Sequence, residues 1–168
     1  MCGLAFSGKT TIARALAERL GAAIVSLDEI NRERGLPHGG SGLPAGAWAE
    51  THRLGLERLA ALMAGGGDLV ADDTACFRVL RDDYRRLAAA HGYSAAVVLV
   101  DPPREEIAAR RRRSDATGDR EPIADEVFAA HAASFEWPRD DETVVALRGE
   151  ADAAAWLAAL EPTAADRR

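Results

Sequence analysis

The sequence predicts an α/β fold, with a mainly parallel, five-stranded sheet covered by helices on both faces. Short apolar runs alternate with longer segments of helical periodicity along the chain. The runs at 22–27 and 95–100 are apolar without strict alternation, the pattern of parallel strands buried on both faces. A length of 168 residues suits one domain around one core. That domain is expected over residues 1–160, with residues 161–168 as a frayed tail.

Each element has its own signal. Ile12, Leu16 and Leu20 recur at helical spacing, and Gly21 is a natural stop. The run 22–27 reads as a strand ending at Asp28. Gly and Pro over 35–46 mark a loop. A helix is expected over about 47–64, with Trp48, Leu59, Leu62 and Met63 among its apolar residues, and three glycines end it. A short strand at 69–71 runs into Asp72, Asp73 and Thr74. A helix over about 78–91 precedes the strand at 95–100, which Asp101, Pro102 and Pro103 close. A short helix then leads into Arg110, Arg111, Arg112 and Arg113, followed by a loop to Pro122 and a helix to about Phe135. The last strand and helix are expected at 143–147 and 152–160.

Composition narrows the function. The chain is 48% hydrophobic and 29% charged, and no apolar run approaches the ~18 residues that span a bilayer. No signal peptide is expected, since the sequence opens directly on a Gly-rich loop. Cys2 and Cys76 make neither a disulfide framework nor a metal spacing, so a reducing cytoplasm is the expected compartment. A net charge of -6 argues against a general nucleic-acid coat, though not against holding one strand end. His38, His52, His91 and His131 are scattered, lack metal spacing, and read as surface or loop residues.

Gly3, Leu4, Ala5, Phe6, Ser7, Gly8, Lys9 and Thr10 satisfy G-x-x-x-x-G-K-[ST] in full, with Thr11 following. In such a loop, glycines let backbone N–H groups turn onto phosphates, and the helix that starts there points its positive end at the same anion. Lys9 would reach the β- and γ-phosphates of ATP, and the Thr10 hydroxyl would ligate Mg²⁺. Lys9 is the only lysine among the 21 basic residues. A compact ammonium acts there as a point charge that a planar guanidinium does not replace well. A phosphate loop follows a buried strand of about five residues, yet only Met1 and Cys2 precede Gly3. Either Met1 is an internal residue of that strand and the start lies upstream, or the first strand is truncated.

Further candidates lie where strands end, the edge at which open parallel sheets bind ligands. Asp28 could accept the proton of an attacking hydroxyl, or cap the helix that follows. Arg32, one helical turn on, could hold an anionic group of the acceptor or lie solvated. Either Asp72 or Asp73 could anchor Mg²⁺. The four arginines read as a mobile basic lid at about 110–122, or as a solvated face at a helix C-terminus.

With these residues in place, the chain resembles the small P-loop kinases of the zeta-toxin and polynucleotide-kinase kind, a group that includes AAA-family ATP-binding proteins. The resemblance runs from Cys2 to about Pro138. Its elements are the phosphate loop, Ser26-Leu27-Asp28 with Asn31-Arg32, Asp72-Asp73-Thr74, Asp101-Pro102 leading to the arginine run, Glu121-Pro122-Ile123, and Trp137-Pro138. It implies a P-loop NTPase three-layer sandwich with an Arg-rich lid. It further implies Asp28 as catalytic base, Arg32 and Asp73 at the acceptor, and Arg110 and Arg113 on the ATP phosphates. Asn31 stands where the family often has arginine, which weakens the case for a phosphorylated acceptor. The loop at 36–46 has no basic residue for a nucleic-acid backbone. The function expected is Mg²⁺-dependent transfer of the ATP γ-phosphate to a small-molecule hydroxyl. The rivals are a 5′-hydroxyl polynucleotide kinase and a nucleotide-binding regulatory ATPase. Asp72 is the expected second metal anchor beside Thr10.

Overall fold

The computed structural model describes residues 1–36, 43–118 and 122–160. Helix α1 (Lys9–Leu20) starts directly from the Gly-rich loop and ends at Gly21. Strand β1 (Ala23–Ser26) follows and passes without a break into α2 (Leu27–Glu33). Then come α3 (Ala45–Met63), β2 (Leu69–Asp72), α4 (Arg78–Ala90), β3 (Val97–Val100), α5 (Arg104–Thr117), α6 (Asp125–Ala133), β4 (Val144–Leu147) and α7 (Glu150–Ala159).

The sheet is parallel. Strand β1 pairs with β2, and β3 pairs with β4. Residues 1–3 lie between the two pairs. Cys2 bridges Leu99, donating its N–H to the Val98 carbonyl and accepting from the Val100 N–H, both at 2.8 Å. On the other side the Met1 amino group donates to the Ala71 carbonyl at 2.5 Å, and the Gly3 N–H donates to the Thr74 carbonyl at 3.1 Å. The order across the sheet is therefore β1, β2, residues 1–3, β3, β4. The expected fifth strand is present as a short central stub at Cys2, and the chain leaves the sheet at Gly3 to form the loop.

Alternate residues of the strands feed two cores, as a pleated strand requires. Val70, Val98, Val100 and Leu147 pack with Ala13, Leu16 and Ala17 of α1 and Ala153 of α7. On the opposite face, Val25 packs with Ile30 and Leu59, joined by Leu69 and Ala71. Cys2, Leu4 and Phe6 pack there with Ala75, Cys76, Ile107, Ile123 and Phe135. The result is the helix–sheet–helix sandwich that the sequence predicts.

Three segments differ from expectation. Helix α5 is not short: the four arginines lie inside it, because arginine is a good helix former and no breaker occurs before Gly118. The expected lid at about 110–122 is thus helical through Thr117, and residues 119–121 lie outside the described residues. Helix α3 starts at Ala45, inside the expected loop, of which 37–42 likewise lie outside. The tail at 161–168 is also outside. No helix among the described residues is long and apolar enough to cross a membrane.

Candidate active site

The loop between the central stub and α1 is held open by its glycines. Gly3 has φ +148°, and a Cβ there would run into the backbone carbonyl oxygen of Val100. Gly8 has φ +99°, and a Cβ there would meet the Arg110 guanidinium. Phe6 adopts φ 63° without glycine's freedom. Its ring is anchored in the core and lies 6.5 Å from that of Phe128, so packing offsets the backbone strain. Lys9 is buried, with Nζ donating to the Leu4 carbonyl at 2.7 Å. The Ser7 Oγ is buried without a partner among the described residues. Helix α1 has no side-chain cap and no acidic residue in its first turn, which leaves its positive end for an external anion. A polyphosphate fits this cradle.

Two strand ends bring carboxylates to the same edge. Asp28 lies in the first turn of α2, directly after β1. Asp72 ends β2 and is buried. Burial raises its carboxyl pKa. A hydrogen bond with the Thr10 hydroxyl pulls it back down, helped by the charges of the Met1 amino group and Lys9, while Asp28 pushes it up. Thr10, Asp72, Asp28 and Lys9 therefore form one electrostatic cluster. No group of three or more His, Cys, Asp or Glu among the described residues would cage a metal. One hydroxyl and one carboxylate fit Mg²⁺, which keeps most of its shell for phosphates and water.

Asp73 engages a different set of partners. It accepts from the Thr74 N–H at 2.6 Å and from the Tyr84 hydroxyl at 3.0 Å. Burial, then the Asp73 charge, pushes the Tyr84 hydroxyl far above its ordinary pKa, so it stays a donor. The Tyr84 ring meets that of His52 edge-on at 5.2 Å, and His52 Nε2 lies 3.1 Å from Asp83 Oδ2. The expectation of a surface or loop His52 is corrected: it is buried between α3 and α4. The signal was present, since residues 48, 52, 55 and 59 share one helical face. His131, also expected at the surface, is half-buried on α6. Its imidazole pKa is held low by burial and then by the charge of Lys9.

The arginines separate by role. Arg110 Nη1 donates to the Ser7 carbonyl at 2.7 Å, while Nη2 pairs with Glu106 and, at 3.1 Å, with Glu150. Arg111 turns away to the Ile123 carbonyl, Asp125 and the face of Phe128. Arg113 is exposed. Arg32 is exposed and paired with Glu29, with Nε 3.0 Å from Oε2. Asn31 is fully buried and accepts from the Thr51 hydroxyl at 2.5 Å, a tie between α2 and α3.

A family model described as an AAA domain (AAA_33) matches residues 1–138. No curated protein matches the sequence. Among solved structures, a gluconokinase from Sinorhizobium meliloti is similar at 21% identity and TM-score 0.64, over 94% of this chain and 89% of that one. The APS kinase CysC of Mycobacterium tuberculosis, in complex with AMPPNP and APS, is similar at 16% identity and TM-score 0.65, over 92% and 90%. Kti12 of Chaetomium thermophilum, in complex with ADP-AlF3, is similar at 20% identity and TM-score 0.68, over 94% and 93%. At these identities the likeness is one of fold, the α/β P-loop fold.

Proposed function

Because the chain belongs to the AAA_33 family of AAA domains, we propose that it is an ATP- and Mg²⁺-dependent phosphotransferase acting on a hydroxyl of a small-molecule acceptor. The observation that carries this is the cluster of Lys9 and Thr10, at the start of α1, with Asp72 and Asp28 at the strand ends, and with Arg110 reaching the same loop from α5. ATP would lie along residues 3–11, its phosphates on the loop N–H groups and Lys9. Thr10 and Asp72 would hold Mg²⁺, which neutralises charge on the transferring phosphoryl group. Asp28 takes the acceptor proton as the hydroxyl oxygen bonds to the γ-phosphorus and the bond to the ADP oxygen breaks. Arg110, with Arg113 one helical turn on, balances charge on the equatorial oxygens and helps exclude water. Arg32 and Asp73 would orient the acceptor.

A small acceptor is supported by the net charge of -6 and by similar folds that include two kinases named for small molecules. The finer resemblance to zeta-toxin and polynucleotide kinases makes a 5′-hydroxyl oligonucleotide the rival acceptor. The two buried free thiols fit a reducing compartment, and burial pushes the Cys2 thiol up to about 11. The test is acceptor-stimulated ADP release across sugars, nucleosides and antibiotics, beside transfer of labelled γ-phosphate to a 5′-hydroxyl oligonucleotide. Stimulation by a small hydroxyl compound is expected. Transfer to the oligonucleotide alone would replace the acceptor. Tight ATP binding with no acceptor phosphorylated would leave a regulatory ATPase.

A further inference from the structure

Helix α6 carries one polar side chain that the proposed reaction does not use. In α6 and the turn after it, positions 128, 131, 132 and 135 are the sheltered ones, and they share one helical face. Phe128 lies 6.5 Å from the Phe6 ring of the phosphate loop. Ala132 and Phe135 pack into the cluster that holds Ala75 and Cys76, and the Glu136 N–H donates to the Cys76 carbonyl at 2.9 Å. Ala75 and Cys76 directly follow Asp73 and Thr74 at the end of β2. His131 therefore sits half-buried between the phosphate loop and the end of β2. Among the described residues, neither of its ring nitrogens has a hydrogen-bond partner; the Ser134 hydroxyl, at 3.2 Å, donates to its backbone carbonyl. Charged groups of the neighbouring elements are engaged elsewhere. Arg111 of α5 pairs with Asp125 at 2.7 Å and lies over Phe128, and Glu136 accepts the Arg78 N–H at 2.6 Å. Burial, then the charge of Lys9, holds the imidazole pKa below its ordinary value, and the Asp73 charge opposes them. At pH 7 the ring is neutral, with one nitrogen donating and the other accepting.

We propose that His131 is an acceptor-binding residue: from α6 it faces Asp73 across the acceptor side of the phosphate loop and hydrogen-bonds a hydroxyl of an uncharged polyhydroxy acceptor. This rests on the phosphotransferase reading and narrows it to a substrate class. Asp73 supplies the opposite wall. Its oxygens accept from the Thr74 N–H and the Tyr84 hydroxyl, which fixes the carboxylate and leaves each oxygen a lone pair for an acceptor hydroxyl. With Asp28 as base, the acceptor meets two carboxylates and a neutral imidazole, while Lys9 serves the ATP phosphates. Arg32, the cation expected to hold an anionic acceptor, is exposed and paired with Glu29. A phosphate or carboxylate on the acceptor would be repelled by Asp28 and Asp73. A neighbouring pair of hydroxyls instead donates to Asp73 on one side and exchanges a hydrogen bond with His131 on the other.

Two measurements test it. The first is imidazole titration by NMR in the nucleotide-free protein. Lys9→Met should raise the His131 midpoint and Asp73→Asn should lower it, while the exposed His91 stays where it is. A His131 midpoint unmoved in both variants would take the residue out of the site. The second is kinetic, with uncharged sugars, inositol and nucleosides tried beside their phosphorylated counterparts. For the compound that most stimulates ADP release, His131→Leu should raise the acceptor KM at least ~10-fold, with kcat and the KM for ATP changed less than ~2-fold. His131→Gln, which keeps a donor and an acceptor, should recover most of that loss. An equal rise in both KM values would mark a structural role and overturn the proposal, as would an unchanged acceptor KM. A preference for the phosphorylated compounds would overturn the substrate class. Stimulation by none of them would sink the phosphotransferase reading and this proposal together, whereas a good acceptor indifferent to His131 removes this proposal alone.

Discussion

Asp72 is buried beside the Thr10 hydroxyl, and burial holds its carboxyl above the ordinary carboxylate range. A group whose folded pKa is raised contributes stability that is complete below its unfolded pKa and is lost as pH rises through the folded one. Ionised Asp72 therefore weighs against the fold at neutral pH, even with Thr10 and Lys9 offsetting part of the burial. Asp72→Asn should leave Tm at pH 7 unchanged or higher in the nucleotide-free protein, while lowering Mg²⁺-dependent turnover at least ~10-fold. A clear fall in Tm would show the carboxylate to be a net stabiliser. Its neighbours separate binding from chemistry. Lys9→Ala should abolish ATP binding or turnover. Asp28→Asn should bind ATP normally yet lose at least ~10²-fold in single-turnover transfer; normal transfer would remove Asp28 from the role of base.

Helix α4 is fixed by an ion pair that periodicity does not reveal. Arg81 donates to Glu142 at 2.7 and 3.1 Å, and to the Ala75 and Glu136 carbonyls at 3.0 and 2.8 Å. Only 1% of the Arg81 side chain and 0% of the Glu142 side chain are exposed. Arg81→Met leaves the buried Glu142 carboxylate with the Arg139 N–H at 3.0 Å and the Arg85 guanidinium at 4.0 Å; it should cost about 3 kcal/mol in urea unfolding, whereas replacing both partners by apolar residues should recover much of that. The pH dependence runs opposite to that of Asp72. The Arg81 hydrogen bond holds Glu142 below its ordinary pKa, so its contribution is present above the unfolded value and lost as pH falls through the folded one. The Arg81→Met penalty should shrink on acidification. The bounds of α1 were legible because apolar spacing and Gly21 mark them. Arg81 was not, because its partner lies 61 positions away and one arginine among 20 carries no label. Helix α5 was misread for a related reason: four consecutive arginines look like an end, although their propensity prolongs the helix to Thr117.

Across the molecule, the phosphate loop was legible because its residues are contiguous, and the carboxylates because strand ends mark them. The Arg110–Ser7 contact joins residues 103 positions apart and was visible only as a basic run. The loop rests on both halves of the sheet, through Gly3 on Thr74 and Cys2 on Val98 and Val100. Asp28 and Asp72 come from the β1–β2 half, and Arg110 from the helix after β3. A nucleotide engaging all of them binds the folded state with both halves in place and has little to hold in the unfolded chain. Ligand at 100 times its Kd then stabilises the fold by about 2.7 kcal/mol, which for a domain of this size is about 5–11 °C in Tm. MgATP should produce that shift in a thermal melt, chelating the metal with EDTA should reduce it, and Lys9→Ala should abolish it. Arg110→Ala should keep part of it, because the loop and the β1–β2 carboxylates remain while the link from α5 is gone. An undiminished shift in Lys9→Ala would move the nucleotide off this loop and take the kinase reading with it.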